Sequence, residues 1–155
     1  MHSTINDNKT LVRRYFEVIG AADLDGIGAL MDPKLRFRCA GGTGFEDSVV
    51  FNSPETLLTD IRHNLGKLYD PDVGLNPEIL NMTAEENRVV TEVRIKGKSA
   101  VSGEIYDNLY VFLFWIRDGK FVEIHEHLDT AYAGAKLLGP AGFATGADLP
   151  WLEES

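Results

Sequence analysis

The chain has 155 residues, 44% of them hydrophobic and 25% charged, with a formal net charge of -9. That length suits one domain with a substantial core, residues 1–155, and the acidic balance argues against a nucleic-acid surface, which needs clustered Lys and Arg. The lone cysteine, Cys39, excludes an intramolecular disulfide, and no apolar run approaches the roughly 20 residues of a membrane span. The opening Met1-His2-Ser3-Thr4-Ile5-Asn6-Asp7 lacks a basic region followed by an apolar stretch, so it does not read as a signal peptide. A cytoplasmic location is the expectation.

In chain order, apolar residues at 11, 12, 15, 16, 19 and 22 keep helical spacing and predict an amphipathic helix over about 8–21. Asp23 is placed to cap a second, short helix carrying Leu24, Ile27, Leu30 and Met31, which Pro33 should end. Gly26 and Gly28 weaken that helix, which points to a short, tightly packed element. Leu35, Phe37 and Cys39 alternate with Arg36, Arg38 and Ala40 as a half-buried strand. Residues 41–52 read as a loop, and their Gly41-Gly42-Thr43-Gly44 lacks the Gly-Lys-Ser of a phosphate loop.

Ser53-Pro54-Glu55 is a helix start, with a cap, a first-turn proline and an early acid. The helix should bury Leu57, Leu58, Ile61, Leu65 and Leu68. Strands are expected near 75–83, 88–97, 103–117 and 120–128, with Asp118-Gly119 as a two-residue hairpin turn. A short helix follows Asp129 to about Leu138, and residues 139–155 read as a loop-rich tail. Helices first and strands after predict an α+β fold: a curved mixed sheet whose concave side the helices close, forming a cone with an internal pocket.

Parity assigns faces to the strands. Over residues 106–116 the even positions are Tyr106, Asn108, Tyr110, Phe112, Phe114 and Ile116, and the odd ones include Leu109, Val111, Leu113 and Trp115. Both sets are largely apolar, so each face needs a cover, and a second subunit on the odd face would give a homodimer. On the last strand Val122, Ile124, Glu126 and Leu128 share a face. Glu126 therefore stands where a hydrophobe is expected. Such a carboxylate must be paired, hydrogen-bonded or raised in pKa, which makes it either a functional group or half of a structural ion pair with an arginine.

The run from Leu11-Val12-Arg13-Arg14-Tyr15-Phe16 through Ala22-Asp23-Leu24-Asp25-Gly26-Ile27 to Leu35-Arg36-Phe37-Arg38-Cys39 resembles the opening of the ketosteroid isomerases. These belong to the nuclear transport factor 2-like and SnoaL-like superfamily. Val122-Glu123-Ile124-His125-Glu126-His127-Leu128-Asp129 looks like the last strand of that fold. The resemblance implies the same cone, commonly a homodimer through the outer sheet face, and a pocket reached by the even set of residues 106–116. In those isomerases a tyrosine and a protonated aspartic acid stabilise an oxyanion while a second aspartate moves the proton. Carried over, Tyr15 matches the tyrosine, but the base position falls on Cys39 and the other aspartate at about Phe112. The Arg-x-Asp of the limonene epoxide hydrolase branch is missing from Val93-Arg94-Ile95-Lys96-Gly97. Asp129 looks like the general acid/base of SnoaL-like polyketide cyclases.

Each candidate has a plain structural reading beside it. An aspartate before a short helix is also an N-cap, and a lone strand cysteine is usually a small buried hydrophobe. His125 and His127 share a strand face, yet they read more simply as surface or interface residues than as metal ligands, so no metal is expected. Glu126, Asp129 and Tyr15 are the catalytic candidates. Phe16, Phe37, Cys39, Ile61, Tyr106, Asn108, Tyr110, Phe112, Phe114, Ile124 and Leu128 are the candidate wall of a site for a small apolar molecule, unless the cone is simply filled. The functions in play are cofactor-independent acid/base chemistry on a polyketide-, terpenoid- or steroid-like molecule, and non-catalytic binding in the same cone.

Overall fold

Six strands form one mixed sheet in the order β2-β1-β6-β5-β4-β3, in a computed structural model that describes residues 4–40 and 48–138. The strands are β1 (Met31–Cys39), β2 (Val49–Phe51), β3 (Asn76–Glu85), β4 (Arg88–Lys98), β5 (Ile105–Arg117) and β6 (Lys120–Leu128). The helices are α1 (Ile5–Gly20), α2 (Leu24–Ala29), α3 (Pro54–Leu68) and α4 (Thr130–Leu137). β1 runs parallel to β6, and all other pairings are antiparallel. α1 packs on β3 and β4, α3 on β1 and β2, and α4 on β5, which gives the expected α+β cone. No helix among the described residues is long and apolar enough to cross a membrane.

Local chemistry sets the helix ends. Thr4 and Asp7 form a reciprocal capping box at α1, Asp23 caps α2, and Ser53 accepts from the Thr56 amide at α3. α2 lies so close to α3 that a Cβ on Gly28 would meet Leu58 Cδ1 at 2.8 Å. The weak helix former is thus the residue that permits the contact. Asp118 and Gly119 both adopt positive φ, 51° and 71°, in the tight turn between β5 and β6.

Three sequence expectations are corrected. α2 ends at Ala29, and Pro33 lies inside β1 rather than stopping a helix. It is tolerated there because the β1–β6 register shifts between Met31 and Arg36, where a missing amide costs no ladder bond. Val49–Phe51 is an edge strand paired to Phe37–Cys39, not loop; three residues are too few to show a period. The Gly41–Gly44 motif and the 139–155 tail lie outside the described residues.

The third correction concerns β6. Ile116 pairs with Phe121 and Trp115 with Glu123, so Val122 is the extra residue of a bulge. Parity flips there. Phe121 turns inward and is fully buried, while Val122 leaves the interior stripe and is half-buried. Every even residue from Tyr106 to Ile116 is buried as expected. Phe121→Ala should therefore cost about 3–5 kcal/mol in urea unfolding, whereas Val122→Ala should cost under about 1 kcal/mol. Equal costs would contradict the bulge.

Candidate functional site

Between the helices and the inner sheet face lies a cavity of about 260 Å³. Leu57, Asp60, Ile61, Asn64, Leu65 and Leu68 line one side from α3, at helical spacing. Tyr15 and Ile19 enter from α1, and Phe37, Cys39, Tyr110, Phe112, Glu126 and Leu128 form the sheet wall. Of the residues expected at the site, Tyr15, Phe37, Cys39, Ile61, Tyr110, Phe112, Glu126 and Leu128 border this space.

The other expected residues are not on the wall. Phe16 and Phe114 pack edge-on against Tyr15 at centroid distances of 5.2 Å each, and Ile124 is fully buried in the same core. Tyr106 and Asn108 are spent on a polar cluster. Asn108 Nδ2 donates to the Tyr106 hydroxyl at 2.9 Å and to the Asp129 carbonyl at 3.1 Å, and the Tyr106 and Tyr110 hydroxyls lie 2.6 Å apart. Asp129 caps α4, accepting from the Tyr132 amide at 2.9 Å. Even parity puts a residue inside the fold; whether it meets the cavity depends on how far the helices cover that part of the sheet.

Glu126 sits in the middle of the wall. Cys39 is its register partner on β1 and Phe112 its partner on β5, and Thr91 continues the row on β4. Register partners share a face, so these side chains stand together. The Glu126 backbone is paired in the sheet and its carbonyl accepts from the Ala40 amide at 3.0 Å, but its carboxylate has no hydrogen-bond or ion-pair partner among the described residues. It keeps some surface because it borders the cavity, but protein surrounds it otherwise. Burial alone raises its pKa from an ordinary 4.5 to about 7.

The neighbours respond to that environment. Burial, and then the charge of Glu126, push the Tyr15 phenol above its ordinary value. The Cys39 thiol rises well above its own for the same reasons, with Asp60 adding to the effect. Cys39 is thus a protonated thiol, unsuited to act as base or nucleophile. Asp60, raised by burial, accepts from Asn64 Nδ2 at 2.8 Å. Sequence reasoning passed over Asp60 and Asn64; their signal was a polar pair four residues apart on the apolar stripe of α3.

His125 and His127 belong to the outer face. Arg38 approaches His125 Nδ1 at 2.9 Å, and His125 Nε2 lies 2.6 Å from Glu123 Oε1. Because arginine only donates, Nδ1 accepts and Nε2 carries the proton given to Glu123. His127 is exposed beside them, and its pKa is lowered by partial burial, then by Arg38 and His125. Arg94 makes a two-pronged contact with Asp107 at 2.7 and 2.6 Å, also on the outer face, so this arginine is directed away from the cavity.

Residues 12–124 match the model of the SnoaL-like domain. The chain belongs to that family. No curated protein matches its sequence. Among solved structures, a candidate SnoaL-like polyketide cyclase from Jannaschia sp. CCS1 aligns with a TM-score of 0.73 at 22% identity, covering 90% of this chain and 98% of that one. A limonene epoxide hydrolase-like epoxide hydrolase from M. tuberculosis gives a TM-score of 0.66 at 17% identity, covering 86% and 91%. A ketosteroid isomerase-like protein from Catenulispora acidiphila, in complex with trimethylamine, gives 0.71 at 10%, covering 84% and 94%. At these identities the likeness establishes the fold.

The SnoaL-like frame makes the row through Glu126 informative. The positions that resemblance equates with the isomerase carboxylates, Cys39 and Phe112, are the two residues flanking Glu126 across the sheet. A carboxylate stands at the centre of that patch, supplied by a different strand.

The raised pKa has a sign that can be tested. With a folded value of about 7 above an ordinary 4.5, the native state holds the extra proton between them. The stabilising contribution is complete below about pH 4.5 and is lost as pH rises through about 7. Glu126→Gln should therefore gain stability relative to the native protein across that window, by at most about 3 kcal/mol. Parallel urea unfolding curves of the two proteins from pH 4 to 8 would check this; a constant difference would show that Glu126 titrates normally.

Proposed function

We propose that the cavity binds a small, largely apolar molecule of polyketide, terpenoid or steroid type, and that Glu126 moves a proton on it. The observation that carries this reading is one carboxylate, without a protein partner, in an otherwise mainly apolar cavity. A group titrating near neutrality is suited to take a proton in one step and return it in the next. As a carboxylate, Glu126 removes a proton from the bound molecule. As the acid, it returns that proton to another atom. Tyr15, held protonated beside it, donates to the oxygen on which charge develops. These steps serve isomerase, cyclase or dehydratase chemistry, and hydrolase chemistry where the proton is taken from a water that adds to the bound molecule; they use the chain's own side chains. The trimethylamine bound to the Catenulispora protein supports small-molecule binding in this fold.

The second reading is binding without turnover. It is favoured by Cys39 and Phe112, onto which the resemblance carries the isomerase carboxylates. Glu126→Gln separates the two. For a substrate found by screening cyclic ketones, epoxides and hydroxylated polyketides, turnover should fall by ~10²–10⁴-fold with the fold intact, while binding persists. Asp129→Asn, which keeps a cap, should leave turnover within about threefold. Unchanged turnover in Glu126→Gln would assign the cavity to binding alone.

We also infer a homodimer through the outer face of β5. Leu109 is exposed there, and Val111, Leu113 and Trp115 are half-buried, an apolar strip that water disfavours. Sedimentation equilibrium at micromolar concentration should give a dimer, and Leu113→Glu should give monomer; monomer for the native protein would end this inference.

A further inference from the structure

Proton transfer by Glu126 and Tyr15 leaves the phenol cluster of the interior without a role. Tyr69 stands at the end of α3, and Tyr106, Asn108 and Tyr110 are successive inward residues of β5. Tyr69 and Tyr110 border the cavity, and Tyr106 and Asn108 stand behind them. Asn108 Nδ2 donates to the Tyr106 oxygen, the Tyr106 and Tyr110 hydroxyls share one hydrogen bond, and the Tyr69 hydroxyl interacts with both.

This cluster is rich in donors and poor in acceptors. Asn108 Oδ1 already accepts from the Leu109 amide at 2.8 Å, and the Asp129 carbonyl from Asn108 and the Ala133 amide. The acceptors left are the phenol oxygens themselves, one of which Asn108 has engaged. Burial first of all keeps the three phenols protonated. A run of donors that starts at an amide N–H and passes through hydroxyls ends on an O–H in need of an acceptor, and each bond polarises the next. Tyr69 and Tyr110 are the members that a molecule in the cavity can reach.

The cluster also lies on the far side of Glu126 from Tyr15. Tyr110 pairs with Leu128 and Phe112 with Glu126, so Tyr110 is one inward row from Glu126, about 7 Å along the strand. Tyr15 packs in the opposite direction, edge-on to Phe114 and Phe121 at 5.2 and 5.5 Å. The charge of Glu126 acts on Tyr15 and on all three phenols, which places both donor groups around one carboxylate.

We propose that Tyr69 and Tyr110 form a second oxygen-binding subsite, which holds a ligand carbonyl remote from the oxygen that Tyr15 engages. The ligand then carries two oxygen functions on a mainly apolar skeleton, with its reacting carbon between them at Glu126. The remote oxygen is a neutral carbonyl and not a carboxylate, because the charge of Glu126 reaches that end and opposes an anion. Tyr69 and Tyr110 are specificity residues in this arrangement, and Tyr106 and Asn108 position the Tyr110 hydroxyl. The inference rests on the cavity being the ligand site, and it narrows the class of ligand.

Two probes of one skeleton test it, bicyclohexyl-4,4′-dione and 4-cyclohexylcyclohexanone, titrated into the full chain by calorimetry. The dione should bind on the order of tenfold more tightly than the monoketone, the worth of one further hydrogen bond to donors otherwise left unpaired. The ratio of the two affinities should fall to about one in Tyr110→Phe and drop severalfold in Tyr69→Phe. General damage to the cavity would weaken both probes alike and leave the ratio intact. Should Tyr110→Phe fail to fold, Tyr69→Phe, at a half-buried position, carries the comparison. Equal or weaker binding of the dione, or a ratio that survives in both variants, overturns the second subsite but leaves the cavity as a ligand site. Binding of neither probe overturns both.

Discussion

A carboxylate ionises less readily where burial limits its hydration and no counter-charge stands beside it, and the candidate site depends on that constraint. Glu126 points into a mainly apolar cavity without a protein partner, so its two protonation states lie close in free energy near neutrality. Its neighbours are governed by the same field. The Tyr15 phenol and the Cys39 thiol both keep their protons because burial and the charge of Glu126 act in the same direction on them. Burial first, and the charge of Glu126 second, thus keep the groups beside it protonated. Tyr15 becomes a donor and Cys39 an inert wall residue.

The sheet supplies the geometry. β1, β6 and β5 lie side by side, so Cys39, Glu126 and Phe112 form one row across the concave face although they are far apart in the chain. Backbone ladder bonds hold that row, and the aromatic cluster of Tyr15, Phe16, Phe112, Phe114 and Phe121 anchors α1 against it. Side chains from three different strands therefore occupy one patch of the concave face. Residues along a single strand do not reveal such a grouping.

The helices contribute differently. α1 brings in Tyr15 through its apolar stripe, whereas α3 uses its stripe to present Asp60 and Asn64 among leucines. A polar residue on an apolar helical stripe carries the same kind of signal as Glu126 on its strand. Both break a pattern that burial would otherwise enforce. On the outer face the polar groups engage one another instead, as in Arg94 with Asp107 and His125 between Arg38 and Glu123.

The amino-acid pattern alone determined α1, α3 and α4, the four long strands, the Asp118-Gly119 turn and the inward position of Glu126. Each of these rests on local periodicity or on residue-specific backbone preference, which neighbouring residues reveal. The edge strand Val49–Phe51, the proline inside β1, the bulge that turns Phe121 inward and the pairing of Glu126 with Cys39 and Phe112 were decided by tertiary structure. So was the division of the buried even residues of β5, with Tyr110 and Phe112 on the cavity and Asn108 and Phe114 away from it. The reason is physical: periodicity reports which side of an element is buried. What lies against that side depends on register and helix placement, which are set by contacts between distant parts of the chain.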